Sequence, residues 1–258
     1  MREAIFLRQR YAAMAAASGT IFLLSGLVML TPLLALFACP EEAGYATAFL
    51  LPAAGLGILG ILARGLGRAA PLASLSIQEG GVIVSVVWLL VVLFSAWPFV
   101  FISGLAYSRA VFESTSGWTT TGLSVVDVTT APAVILVWRS VMQFFGGAGL
   151  AILMMSAVVG PTGVGISSAE GRGEQLVPNV RRSARLVLAI YTCYAVAGTL
   201  AYWLAGLSAF DAFNHACAAV STGGFSTRAA SIGHWNSPTV EAVTLVLMLL
   251  GNFSFVTA

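Results

Sequence analysis

Long apolar runs alternate with short polar breaks along this chain, and the runs set the expected elements. The first extends from Tyr11 to Ala38 behind Arg2, Arg8 and Arg10. It is long enough to cross a bilayer, which takes about 20 residues, and too long for the apolar part of a signal peptide, about 7 to 15 residues. On the same ground Leu36 to Cys39, a faint lipoprotein cleavage box, is read as part of the span. Further spans are expected over Tyr45–Leu62, Gly81–Gly104, Pro132–Val159 and Leu186–Gly206, with a sixth from Pro238 onward. Glu41 and Glu42 mark an acidic turn, Arg64 and Arg68 a basic one, and Gly160 to Ala184 is the longest polar stretch.

Two segments between these spans are too short to cross. Arg109 to Ser124 reads RAVFESTSGWTTTGLS and Asp211 to Ser226 reads DAFNHACAAVSTGGFS, and the two align without a gap. Ala110 falls on Ala212, and the run Thr119 to Ser124 falls on Ser221 to Ser226. Each predicts a short half-helix, Arg109–Trp118 and Ala209–Val220, followed by a small polar tetrad and another apolar run. As a helix, Arg109 to Trp118 measures about 15 Å, half of a roughly 30 Å hydrocarbon core, so it ends near mid-membrane. Leu123 to Ala131, extended, is long enough to climb back out. Repeats of this kind predict a pseudo-symmetric architecture of pore loops.

Composition changes the picture in one respect. With 59% hydrophobic and 9% charged residues, the chain reads as an all-α polytopic membrane protein surrounded by lipid. A net charge of +2 makes no case for nucleic acid. All 12 basic residues are arginine, and Arg2, Arg8, Arg10, Arg64, Arg68, Arg172, Arg181, Arg182 and Arg185 fall on one side. By the positive-inside rule that side, with the N-terminus, is cytoplasmic. Cys39, Cys193 and Cys217 lie in or beside apolar segments and are read as small buried residues rather than a disulfide framework.

The tetrads carry the chemistry. Backbone carbonyls and Thr or Ser hydroxyls are hard, neutral oxygens that replace the hydration shell of a monovalent cation without holding it as a carboxylate would. Thr119, Thr120, Thr121 and Gly122, with Ser221, Thr222, Gly223 and Gly224, are therefore the expected ion-binding residues. Non-helical backbone at that depth is tolerated where it is buried in protein or lines a water-filled cavity. Gly122 and Gly224 can take backbone angles closed to other residues. A Ser/Thr/Gly cluster is often only a helix contact or a loop, and it is the in-register second copy that favours the pore. Glu113 and Arg139 are expected either to pair or to snorkel separately to an interface. Asp127 and Arg228 are read as solvated, His215 as a packed residue, and His234 as an outer-loop residue. Gly-x-Ser-Gly, Gly-x-Gly-Asp and His-Glu-x-x-His motifs are all missing from the sequence, so no enzyme is predicted. Gly163 to Ser168 mimics half of a dinucleotide loop but has no strand before it, and no organic cofactor is expected.

FESTSGWTTTGLSVV, WRSVMQFFGGAGLAIL, LVPNVRRSARLVLAIY, FNHACAAVSTGGFSTRAASIGHWNSP and VLMLLGNFSF, in this order and spacing, resemble the membrane subunit of the Trk/Ktr/HKT superfamily of potassium transporters. The two spans before Gly81 resemble the TrkH/TrkG branch rather than the Ktr branch, which lacks that pair, and the chain corresponds to roughly the N-terminal half. The resemblance implies four helix, pore-loop, helix repeats in pseudo-fourfold arrangement, of which this chain supplies two. Residues 1–74 would be a leading transmembrane hairpin, 75–159 the first repeat, 160–184 a cytoplasmic linker and 185–258 the second repeat. It further implies potassium uptake across the bacterial inner membrane, with Thr119–Gly122 and Ser221–Gly224 as filter strands for the transported potassium ion. A homodimer is expected, as is a cytosolic nucleotide-binding regulatory subunit, TrkA-like, for which Arg172, Arg181, Arg182 and Arg185 are the candidate contact. The alternative is a non-conducting or homodimerising half-transporter that serves as an assembly module. The chain departs from the family in placing Arg109, not an acidic residue, at the start of the first half-helix, and in lacking the basic residue often found before Glu79. Some related plant transporters carry Ser at the first-strand glycine and favour sodium, which ties Gly122 to selectivity by resemblance.

Overall fold

The computed structural model describes residues 2–67, 77–158 and 176–253, and among these it is helical with no strand. α1 spans Arg2–Leu30, α2 Ala46–Leu66, α3 Ile77–Ser95, α4 Trp97–Phe101, α5 Tyr107–Trp118, α6 Ala133–Val158, α7 Leu176–Leu204, α8 Ala209–Val220 and α9 Pro238–Phe253.

Several boundaries differ from those read off hydrophobicity. α1 begins at Arg2 rather than near Tyr11, because Glu3 to Arg10 contains neither Gly nor Pro to stop the helix. α7 begins at Leu176, so Arg181 and Arg182 lie on the same helix as Arg185 rather than in the expected linker. Pro178 is tolerated there because the first turn has no intrahelical use for its missing N–H. The third span breaks at Ala96, between α3 and α4, where Pro98 removes a backbone donor and Phe99 N donates to Ala96 O at 3.1 Å instead. The second half-helix, Ala209–Val220, falls where the sequence placed it, and the first begins earlier, at Tyr107.

Residues 1–114 and 132–138 form one compact unit, and residues 115–131 and 139–258 another. In the first, α1 and α2 pack against each other through small residues. A side chain on Gly19 would press on the Gly60 carbonyl, one on Gly60 on the Gly19 carbonyl, and one on Gly26 on the Ala53 carbonyl, a pairing that runs antiparallel. Trp138 is fully buried, edge-on to Phe49 at 6.0 Å between centroids, and its indole N–H donates to Ser95 O at 3.2 Å. Glu42 accepts from Ala133 N at 2.8 Å and Val134 N at 2.9 Å, satisfying two of the free donors that start α6. Arg10 and Glu79 form an ion pair.

In the second unit α8 packs on α7 and α9. Ala212, Ala216 and Ala219 fall on one face of α8 and join a buried cluster with Val187, Tyr191, Val240 and Leu247. Tyr202 Oη and Thr244 Oγ1 lie 2.7 Å apart, linking α7 to α9. Leu245, Val246, Met248 and Leu249 of α9 and Leu200, Trp203 and Leu204 of α7 face outward.

Among the described residues four stretches, Phe6–Phe37, Pro40–Leu66, Gln78–Phe101 and Arg185–Leu204, are long and apolar enough to cross a membrane, while α6 and α9 offer the shorter apolar stretches Ala133–Gly149 and Pro238–Asn252.

Candidate functional site

α5 and α8 end in the same way at the same register. Thr120 N donates to Gly117 O at 3.2 Å and Thr121 N to Ser116 O at 2.9 Å; Thr222 N donates to Ala219 O at 3.0 Å and Gly223 N to Ala218 O at 2.8 Å. This pair of backward bonds is a Schellman termination, whose turning residue takes the left-handed conformation and is usually glycine. Here it is threonine in both copies, with φ +53° at Thr120 and +52° at Thr222. A β-branched residue in that region is a genuine outlier, costing about 1–3 kcal/mol.

The second residue after each threonine is again left-handed, with φ +81° at Gly122 and +85° at Gly224, while the residues between them have negative φ. Extended backbone of uniform hand alternates its carbonyls from side to side. Alternating the sign of φ turns every other peptide over, so that successive carbonyls can point the same way. The register extends upstream to Gly104 and Gly206, both with positive φ in the turns that lead into α5 and α8.

Side chains repeat the correspondence. Thr119 Oγ1 donates to Thr115 O at 2.8 Å and Ser221 Oγ to Cys217 O at 2.8 Å, so the first hydroxyl of each tetrad is tied back to its own helix. Beyond the tetrads, Ser124 Oγ accepts from Val126 N at 3.2 Å and Ser226 Oγ from Arg228 N at 3.0 Å. The carbonyl of the last residue of each short helix meets a glycine of the helix that follows. A side chain at Gly146 would collide with Trp118 O, and one at Gly251 with Val220 O. The two tetrads also touch each other, since a side chain at Gly122 would collide with Gly223 O.

Polar side chains of the same unit surround this backbone. Arg139 is 2% exposed, donating to Ser226 O at 2.8 Å and Ser124 Oγ at 3.0 Å, with its guanidinium 4.1 Å from the Phe225 ring centroid. Gln143 Oε1 accepts from Phe225 N at 3.1 Å. Asp211 is 2% exposed and accepts from Arg228 Nη2 at 2.6 Å and Thr227 Oγ1 at 2.5 Å, and its N–H is capped by Ser208 Oγ at 3.0 Å. His215 Nδ1 donates to Asp211 O at 2.8 Å, which leaves Nε2 of the neutral ring to accept from Ser226 Oγ at 2.9 Å.

Several residues singled out in the sequence stand differently here. Arg228 is exposed, as expected, and in addition pairs with buried Asp211, because the chain after the second tetrad folds back over the start of α8. Asp127 is exposed and accepts from Thr129 N at 2.9 Å and Thr129 Oγ1 at 2.6 Å, which makes it a turn residue. Glu113 and Arg139 are both buried, so neither side chain snorkels. Arg185 is exposed at the side of α7; Arg172 and Gly163 to Ser168 lie outside the described residues. Arg139 and Gln143 as supports of the tetrads went unread because each has a backbone partner more than eighty positions away, for which sequence carries no local signal.

Comparison with known proteins gives a consistent result. The family described as "TrkH: Cation transport protein" matches residues 61–258. The Trk system potassium uptake protein TrkH of Escherichia coli K12 is 35% identical over 187 residues, which cover 69% of this chain and 39% of that protein. TrkG of the same organism is also 35% identical over 187 residues. The crystal structure of the potassium transporter TrkH from Vibrio parahaemolyticus superposes with a TM-score of 0.80 at 27% identity, covering 93% of this chain and 49% of that one. The chain thus spans about half the length of the solved relative it matches.

Proposed function

This chain belongs to the TrkH family of cation transport proteins, and from that premise we propose that its two tetrads are filter strands of a potassium-selective pore for uptake across the bacterial inner membrane. The observation that carries this reading is the shared left-handed backbone at Thr120 and Thr222. A strained conformation repeated on β-branched residues in two copies needs an offsetting use, and aligning carbonyls toward a cation supplies one. On this reading the backbone carbonyls of Thr119 and Ser221 are ligands, and their hydroxyls are held in place by donating to the helices behind them. The C-terminal ends of α5 and α8 add partial negative charge at the same place.

Potassium entering such a site exchanges water for carbonyl oxygens at little net cost, provided enough of them surround it. Two strands close half of a ring, and the other half comes from further repeats of a longer protein or from a second copy of this chain. The relatives are named as members of a Trk system. A cytosolic nucleotide-binding subunit docking near Arg172, Arg181, Arg182 and Arg185 is the corresponding proposal for regulation.

The test is restoration of growth at limiting potassium in a bacterial strain lacking its own potassium uptake, using the complete product of this gene, with sodium uptake measured in parallel. Selective potassium uptake is expected. Expression in the membrane without it would overturn the reading in favour of a non-conducting assembly module.

A further inference from the structure

Arg139 and Gln143 are one turn apart on α6 and share a face of that helix. Both are buried. Arg139 reaches the loops that follow both tetrads at equivalent positions, Ser124 through its hydroxyl and Ser226 through its carbonyl. Phe225, between the second tetrad and Ser226, lies under the guanidinium and is itself buried. One turn on, the Gln143 carboxamide accepts from Phe225 N and sits so close to Gly223 that a side chain there would overlap it. Its Nε2 is buried without a hydrogen-bond partner, a cost tolerated only where the group is held in place for another reason.

A positive charge beside a cation path lowers cation occupancy, so charge alone does not recommend Arg139 for this place. Its geometry does. The planar fork donates in two fixed directions at once while its face rests on an aromatic ring, an arrangement that a lysine ammonium cannot reproduce. We infer that Arg139 is a positioning residue for ion selectivity, a brace on α6 that sets the spacing between the two carbonyl rows so that they fit potassium rather than the smaller sodium ion. The inference rests on the filter reading of Thr119–Gly122 and Ser221–Gly224. Gln143 holds the second row from behind in the same way, and neither side chain needs to touch the ion.

The test is a double-mutant cycle in the complete transporter, read as potassium over sodium selectivity and as the potassium KM against maximal uptake. Arg139→Lys keeps the charge and loses the fork, and should lower selectivity about tenfold, with KM rising more than the maximal rate falls. Ser124→Ala removes one arm's acceptor and should cause a smaller loss. Adding it to Arg139→Lys should cost little more, because the shared interaction is already gone. Wild-type selectivity in a normally expressed Arg139→Lys variant, or full additivity of the two changes, would overturn the inference. Should Arg139→Lys fail to accumulate, Ser124→Ala decides alone, and unchanged selectivity overturns it. Gly122→Ser is the reference. If it too leaves selectivity unaltered, the filter reading has failed, whereas lost selectivity there and retained selectivity in Arg139→Lys sinks the brace alone.

Discussion

Thr120 and Thr222 occupy the same position in two repeats and share a left-handed backbone, φ +53° and +52°, where a helix terminating in this way normally carries glycine. Thr120→Gly or Thr222→Gly should therefore stabilise the protein by about 1 kcal/mol through relief of strain, while weakening potassium affinity because the backbone is freer to turn its carbonyls away. Thermal melts of the purified protein with and without potassium measure both effects. Lower stability in the glycine variants without potassium would contradict the assignment of strain.

Gly122 and Gly224 are the other left-handed positions, but their surroundings differ. A side chain at Gly122 meets Gly223 O, whereas Gly224 has only the Gly122 α-carbon nearby, at 3.9 Å. Gly122→Ser should lower potassium over sodium selectivity more than Gly224→Ser. Gly149→Ser is the control, because nothing beyond its own stretch of helix lies within 4 Å of where its side chain would begin. Unaltered selectivity in both tetrad variants would show that these residues are not the filter.

The contact between Gly146 and Trp118 O reverses a familiar sign. Replacing a helical glycine by alanine usually gains about 1 kcal/mol, and Gly149→Ala on α6 should do so. Gly146→Ala, three residues earlier on the same helix, should instead destabilise, because the new methyl collides with the end of α5. Gly251→Ala, against Val220 O, should behave like Gly146→Ala. Melting temperatures of the three variants decide; a gain at all three would mean that the close contacts yield freely.

On the proposed function, two filter strands leave a dehydrated ion short of ligands on one side, and stripping an ion of ligands costs many kcal/mol. The 258-residue chain alone, reconstituted as a monomer, should therefore pass no potassium. Flux in liposomes that contain only the monomer, with oligomeric state checked by cross-linking, would refute this.

The distribution of arginine predicts that the start of α1 and the segment between α6 and α7 are cytoplasmic. Ser168→Cys should resist an impermeant thiol reagent in intact cells and react after permeabilisation, measured against a variant in which the three native cysteines are replaced. Labelling from outside the intact cell would invert the topology. Loss of co-purified regulator on charge reversal at Arg181 and Arg182 would place the docking surface on that same face.

The sequence by itself determined the all-helical class, most of the spans and the two short helices with their tetrads, because bilayer thickness and the apolar run are local quantities that composition must satisfy. Its repeat also aligned Thr119–Gly122 with Ser221–Gly224. Hydrophobicity did not reveal where α1 and α7 begin, since a helix continues through polar residues that the apolar pattern leaves out. Nor could it show that Thr120 and Thr222 are left-handed, because threonine's own preference argues against it and only the Schellman bonds impose it. The pairing of Arg228 with Asp211, the capping of α6 by Glu42 and the reach of Arg139 to Ser124 and Ser226 were decided by tertiary structure alone. Each joins residues distant in sequence, and a buried polar group reveals its partner only once the chain has folded around it.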